Sequence, residues 1–115
     1  MDTDLLLNAL RIIASPYSVQ KEYYPDFALL GDEIVGELDC IEFLEEGAID
    51  LAVFQKLKEL DNAFIDKSFG EVGYSDYIWT DRAVEHDVFW ENQRNRAKEI
   101  LKDLGCEYTL PKKFQ

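Results

Sequence analysis

The stretch DVFWENQRNRAKEILKDLG, residues 87–105, decides the fold. Asp87 stands where an N-cap is expected, because its side chain can accept hydrogen bonds from the free amides of a first helical turn. Gly105 is a natural C-terminal stop. The apolar face between them comprises Phe89, Trp90, Ala97, Ile100, Leu101 and Leu104. This spacing predicts an amphipathic helix packed on a core, with both Trp79 and Trp90 in that core and Gln93 making a local hydrogen bond.

Two more helices follow from the same kind of pattern. Thr3 is predicted to cap a first helix, and Asp50 to cap another that runs to about Lys67. Their buried faces are expected to be Leu6, Ala9, Leu10 and Ile13 in the first, and Val53, Leu57, Leu60 and Phe64 in the second. Short helical turns are expected after Pro16 and Thr80. Segment 69–80 contains two glycines and no helical period, so a loop is expected there.

A fourth main helix is predicted from about Phe27 to Glu46, ending at Gly47. Its apolar stripe is Leu30, Ile34, Leu38 and Ile41, with Leu44 at the edge. Gly36 costs ~1 kcal/mol relative to alanine inside a helix, which predicts a close approach to a neighbouring element there. No strand pattern or repeat interrupts the chain. We therefore predict an all-α, single-domain bundle of four main helices plus short helical turns, spanning residues 1–115.

The net charge of −12 is concentrated in one window of the chain. Residues 22–55 carry ten acids and no base, whereas residues 1–21 net zero and residues 56–115, with twelve acids and ten bases, net −2. Such a field repels nucleic acid and anionic lipid and attracts a basic partner. The window therefore indicates either a surface for a basic partner or a solvated face kept for solubility.

A helical wheel divides the predicted helix 27–46 into two sides at 100° per residue. The acids opposite the apolar stripe are Asp32, Asp39, Glu42 and Glu46. Val35 and Phe43 lie among them, and an aromatic residue ringed by carboxylates is typical of an interface anchor with a charged rim. The alternative is that Phe43 packs under another helix or under the loop. Tyr74 and Tyr77 of that loop either extend the patch or cover the core from outside.

The residue types needed for catalysis or for metal binding are sparse. His86 is the only histidine, and Cys40 and Cys106 lie far apart without CxxC spacing. Nucleotide-binding glycine loops and a calcium-loop motif are missing. We expect a non-enzyme with no catalytic residues, no cofactor and no metal site. The acidic N-terminus and the lack of any apolar run near ~18 residues predict a cytoplasmic protein with reduced thiols and no membrane contact.

Two groups of residues carry a resemblance to known proteins. One is Trp79-Thr80-Asp81 with Ala83, followed by Trp90-Glu91, Arg94, Ala97 and Ile100-Leu101. The other is Leu10-Arg11-Ile12-Ile13-Ala14-Ser15-Pro16, followed by Val19-Gln20 and Pro25-Asp26-Phe27. They resemble the small acidic immunity proteins that accompany bacterial polymorphic toxins, including contact-dependent growth inhibition systems. The resemblance implies a cytoplasmic antidote that binds one toxin domain and blocks it.

Together these observations predict a binding protein. The acidic helix face suits a cognate toxin domain that is basic, most simply a nuclease whose lysines and arginines bind phosphate. The expected docking residues are Asp32, Val35, Asp39, Glu42, Phe43, Glu46, Tyr74 and Tyr77. Two alternatives stay open: a non-catalytic adaptor or nucleic-acid mimic, and a small enzyme that uses carboxylates or His86.

Overall fold

The computed structural model describes residues 2–26, 29–45 and 47–115, and within these ranges the chain is helical and contains no strand. Six α-helices follow one another: α1 Asp2–Ala14, α2 Tyr17–Tyr23, α3 Leu30–Gly36, α4 Leu51–Ile65, α5 Asp81–His86 and α6 Val88–Asp103. Three 3₁₀-helices lie between and after them, at Glu37–Phe43, Tyr77–Trp79 and Lys112–Phe114. The predicted all-α class is confirmed. None of the described helices is long and apolar enough to cross a membrane.

The core lies where α6 packs along α1 and α4. The predicted apolar faces of all three helices are buried, except that Phe89 and Leu104 of α6 are half-buried and pack against the core. Leu10, Leu57, Phe64 and Trp90 are each 0% exposed. The Phe64 ring meets the Trp90 ring with centroids 5.2 Å apart and the Phe89 ring with centroids 5.7 Å apart, so two aromatic contacts join α4 to α6. Trp79 is half-buried and packs against the same core. The predicted core position is therefore confirmed for Trp90, whereas Trp79 packs against the core without being fully buried.

The starts of the helices follow the predicted capping residues, with one exception. Asp50 accepts a hydrogen bond from the amide of Ala52, and Asp87 accepts one from the amide of Phe89, each at 2.8 Å. Gly105 adopts φ +79°, in the left-handed region that terminates helices. The exception is Thr3, which was predicted as a cap but lies inside α1, because that helix already begins at Asp2.

The predicted continuous helix 27–46 is wrong. The chain forms α3 only as far as Gly36 and then tightens into the 3₁₀-helix Glu37–Phe43, while Phe27 and Glu46 lie outside the described residues. The apolar spacing explains the change: it falls from four residues at Leu30, Ile34 and Leu38 to three at Leu38, Ile41 and Leu44. A 3₁₀-helix has three residues per turn, so the second half keeps this row on the core. Gly47 has φ +82° but lies beyond the end of the 3₁₀-helix.

The close approach predicted at Gly36 occurs at Gly31 instead. Gly36 is exposed, and a Cβ atom placed on it would meet no described atom within 4 Å. A Cβ atom on Gly31 would lie 2.9 Å from the carbonyl oxygen of Trp79. The missing side chain at Gly31 therefore allows α3 to rest on the Tyr77–Trp79 turn. Segment 69–80 is otherwise irregular, as predicted.

Arg94, Gln20 and Ser15 form a buried polar junction where α1, α2 and α6 meet, and each is at most 5% exposed. Arg94 donates from Nε to the carbonyl of Ser15 at 3.0 Å and from Nη2 to Gln20 Oε1 at 2.8 Å. Gln20 in turn donates to the carbonyls of Ile12 and Ile13 near the end of α1. These carbonyls are the negative end of the helix dipole, which favours the buried cation. Burial still lowers the pKa of Arg94.

Candidate docking surface

The predicted docking residues are mostly exposed. Asp32, Asp39 and Glu42 are exposed and Val35 is half-buried, while Glu46 lies outside the described residues. Phe43 is 68% exposed, so the alternative in which it packs under another element is wrong. Tyr74 and Tyr77 are 39% and 46% exposed. The residues are thus available to a partner, although their role in binding stays a prediction.

The 3₁₀ geometry changes how these residues are arranged. In a 3₁₀-helix, residues three apart lie above one another. Asp39 and Glu42 therefore share one row, whereas Phe43 shares a row with Cys40. The wheel at 100° per residue had placed Phe43 inside a ring of acids. The structure places it beside a row of acids instead.

The acids of the charge-rich window have few partners. Within the described ranges, none of the carboxylates of residues 22–55 makes an ion pair. Two of them make hydrogen bonds within the fold: Glu37 accepts one from the Tyr24 hydroxyl at 2.8 Å, and Asp50 caps α4. The ion pairs lie elsewhere, for instance where Lys56 bridges Glu99 and Asp103. The negative charge of the window is therefore left largely uncompensated at its own surface.

An acidic groove of about 470 Å³ lies between the 3₁₀-helix Glu37–Phe43 and α4. Its charged residues are Asp39, Glu42, Asp61 and Lys58, and Leu38, Ile41 and Phe54 are among its apolar ones. Burial raises the pKa of Asp61 above its ordinary value; Lys58 opposes the shift, and the nearby carboxylates of Asp39 and Glu42 add to it. The acidic groove thus carries three carboxylates and one lysine among apolar residues.

Val35 borders the acidic groove on one side and a second cavity of about 370 Å³ on the other. The second cavity is lined by Asp32 and Tyr74 among others. The two cavities together gather five of the predicted residues, namely Asp32, Val35, Asp39, Glu42 and Tyr74. Phe43 and Tyr77 line neither cavity.

Sequence reasoning missed two features of this face. Phe69 and Val72, in the loop of Tyr74, are the most exposed large apolar residues at 88% and 108%. An apolar cavity of about 500 Å³ adjoins the acidic groove, shares Leu44 and Phe54 with it, and is also lined by Leu51, which is 70% exposed. The exposure of Phe69 could have been predicted from the sequence, because it is an apolar residue in a segment without a helical apolar period. The residues that line the apolar cavity all lie between Leu44 and Phe54, so it depends on how the connection before α4 folds back onto that helix, which a helical pattern does not describe.

The residues considered for catalysis are dispersed. The His86 side chain is 65% exposed and has the Glu85 carboxylate 3.2 Å away. Cys40 and Cys106 are free thiols, and burial raises the pKa of Cys40, which disfavours the reactive thiolate. Across residues 2–26, 29–45 and 47–115, no group of three or more His, Cys, Asp or Glu side chains is arranged to hold a metal ion.

Comparison with known proteins identifies no relative: no family model matches the chain, and neither a curated protein nor a solved structure matches it significantly.

Proposed function

We propose that this chain is a binding protein that docks a basic protein partner in the acidic groove, and that it acts as an immunity protein by neutralising that partner. The observation that carries the proposal is that Asp39, Glu42 and Asp61 line one groove with a single lysine, Lys58, and with apolar residues of the 3₁₀-helix and α4. A groove with an apolar floor and a charged rim has the composition of a docking site. It also has an excess of one charge, which selects a partner of the opposite charge.

The physical advantage of a basic partner is twofold. Uncompensated surface carboxylates attract cations over distance and accelerate encounter. Burial raises the pKa of Asp61, and repulsion from Asp39 and Glu42 adds to that rise. Once the surfaces meet, a partner cation in the groove offsets this repulsion. The exposed Phe43 beside the acidic row can then bury its ring against the partner, where aromatic anchors contribute most.

The immunity role is supported by the resemblance described above, and the fold clarifies what that resemblance contains. Its two halves meet in the interior: Ser15 and Gln20 come from one half, and Trp90 and Arg94 from the other. The resembling residues are mainly core, cap and junction residues. They support a shared scaffold, whereas the docking surface carries the choice of partner. A nuclease toxin is the simplest partner, because its phosphate-binding lysines and arginines suit a carboxylate row.

The test is co-expression with the toxin domain encoded immediately upstream, followed by co-purification and inhibition assays. Asp39→Lys combined with Glu42→Lys should slow association, and the deficit should shrink at high salt because screening removes long-range attraction first. The matched control is Glu85→Lys combined with Glu107→Lys, which makes the same change of charge at exposed acids outside the window. Folding stability should move by no more than about 0.5 kcal/mol per site in either pair.

Phe43→Ala should act on a different step. A desolvated anchor contributes after encounter, so the loss should fall mainly on the dissociation rate and amount to ~2 kcal/mol or more. Stopped-flow association and surface dissociation at two salt concentrations separate the two effects. The proposal fails if the Asp39 and Glu42 pair and Phe43→Ala all bind like the parent protein, or if the control pair weakens binding as much as the pair in the groove. A complex that forms without inhibiting a toxin would favour the adaptor function.

A further inference from the structure

The cavity on the far side of Val35 from the acidic groove has a different chemistry. It occupies about 370 Å³ between α3 and the loop that follows α4. Three aromatic side chains line it, Phe69, Tyr74 and Trp79, together with the carboxylates of Asp32 and Asp76. We call this site the aromatic cavity. Its volume lies in the range of about 300–1,000 Å³ that is usual for sites that enclose a small chemical group.

The walls of the aromatic cavity are held in place by the fold. The Trp79 indole N–H donates to the carbonyl of Lys67 at 2.9 Å. The Phe69 and Tyr74 rings meet edge to face with centroids 5.4 Å apart, and the Tyr74 hydroxyl donates to Asp76 Oδ1. The loop also folds tightly at Gly73, where a Cβ atom would lie 2.7 Å from the carbonyl oxygen of Asp66. A preformed site loses less entropy when it binds.

The charge of the aromatic cavity selects a cation. In the described part of the chain, neither Asp32 nor Asp76 has an ion-pair partner, and the side chains that line the cavity include no lysine or arginine. Phe69 is 88% exposed and would gain from being covered. Arginine satisfies both demands, because its planar guanidinium stacks on aromatic faces and its donors pair with carboxylates. The compact, strongly hydrated ammonium of lysine stacks less well.

We propose that the aromatic cavity receives an arginine side chain of the basic protein partner. The aromatic rings stack on the guanidinium while the carboxylates of Asp32 and Asp76 accept its hydrogen bonds. This inference rests on the proposed function and deepens it, since it names the side chain by which the partner is anchored beside the acidic groove.

The experiment needs no partner protein. N-acetyl-arginine amide is titrated into the whole chain at low salt and followed by heteronuclear NMR, with N-acetyl-citrulline amide as the neutral isostere and N-acetyl-lysine amide as the second cation. We expect saturable shifts of the Trp79 indole N–H and of the backbone amides of residues 68–76. The arginine amide should bind at least about five-fold more tightly than the citrulline amide, because only the former is charged.

Variants on one loop supply the controls. Phe69→Ala and Asp76→Asn should each weaken binding of the arginine amide by about three-fold or more. Val72→Ala and Glu71→Gln should leave it unchanged, since both residues are exposed in the same loop but do not line the cavity. All four side chains are exposed, so the variants should stay folded. Urea unfolding of each variant would check this.

Three results would overturn the inference: no saturable shift, equal binding of citrulline or lysine amide, or unchanged binding by the Phe69→Ala variant. Each is independent of the toxin experiment. Failure here leaves the salt-dependent loss in the Asp39 and Glu42 variants intact as support for the acidic groove. Conversely, an aromatic cavity that binds arginine amide in a chain with no basic partner would refute the proposed function alone.

Discussion

The buried polar junction and the acidic groove are both built from charged and polar side chains, yet the fold treats them in opposite ways. In the junction, Arg94 is 5% exposed and donates to three acceptors at 2.5–3.0 Å. In the groove, Asp39 and Glu42 are exposed and have no ion-pair partner among the described residues. Polar groups that are buried must be satisfied within the chain. Exposed carboxylates without an ion-pair partner in the described part of the chain remain accessible to a cation of another molecule.

The largest difference in stability between an interior and a surface substitution should come from Trp90→Ala. Trp90 is 0% exposed, contacts the Phe64 and Phe89 rings, and donates from its indole N–H to the carbonyl of Ile78 at 2.7 Å. Its removal should lower the free energy of unfolding by about 3–5 kcal/mol, as large core truncations do. Urea unfolding measures the loss. Phe69→Ala is the control, because an equally aromatic but exposed residue should change stability by under about 0.5 kcal/mol. A loss of less than about 1 kcal/mol at Trp90 would contradict this arrangement of the core.

The next largest effect should come from the junction itself. Arg94→Met keeps much of the apolar length of the side chain but leaves Gln20 Oε1 and two carbonyls without their donor. Buried acceptors that lose a partner are costly, so we expect a loss of about 3 kcal/mol in the free energy of unfolding. Arg96→Met on the exposed side of α6 is the control and should be nearly neutral. A loss at Arg94 as small as that at Arg96 would show that the junction contributes little to stability.

The same two regions show how far sequence reasoning reaches. Periodicity and capping chemistry predict α1, α4 and α6, because Asp50 and Asp87 act locally and the apolar faces recur regularly. Arg94 lies on the apolar face of α6, four residues after Trp90, but its sequence position does not show which carbonyls would satisfy it. Those acceptors come from Ser15 just after α1, from α2 and from α5, and they meet only in the folded chain.

Local spacing also contained a signal that the helical wheel hides. The spacing between apolar residues shortens from four positions to three after Leu38, which marks the change from α3 to the 3₁₀-helix. A wheel drawn at 100° per residue is wrong beyond that point, because a 3₁₀-helix turns by about 120° per residue. Exposure of Asp39 and Glu42 was predicted even so, because it depends only on lying away from the core. Exposure of Phe43 was one of two alternatives. The acidic groove and the aromatic cavity could not be predicted, since Asp61 reaches the groove from α4 and Asp76 reaches the cavity from the loop after α4.

A smaller effect, which depends on pH, is expected from Asp61 in the acidic groove. The pKa of Asp61 is raised above its ordinary value of 3.8, first by burial and also by Asp39 and Glu42. Between the unfolded and folded pKa values the native state holds more protons, so its stability falls as pH rises through that window and the penalty is complete above it. Asp61→Asn should therefore be more stable than the parent at pH 7, and the difference should vanish below pH 3.8.

Urea unfolding at neutral and acidic pH measures this difference. Glu59→Gln is the control, an exposed carboxylate on the same helix that lines neither the acidic groove nor the aromatic cavity. A destabilised Asp61→Asn variant at pH 7 would mean that the carboxylate is held by a favourable partner. The groove would then be satisfied internally, as the junction is.

The smallest effect should come from His86, which belongs to neither region. Its side chain is 65% exposed at the end of α5, and the contact with Glu85 at 3.2 Å joins two neighbours in sequence. Among the described residues, no cysteine or serine side chain is hydrogen-bonded to it, so a nucleophile-base pair is not assembled. His86→Ala should keep stability within about 0.5 kcal/mol and partner binding within roughly three-fold. Abolished inhibition in a folded His86→Ala variant, with binding retained, would instead favour the small enzyme, because only a chemical role would separate the two readouts.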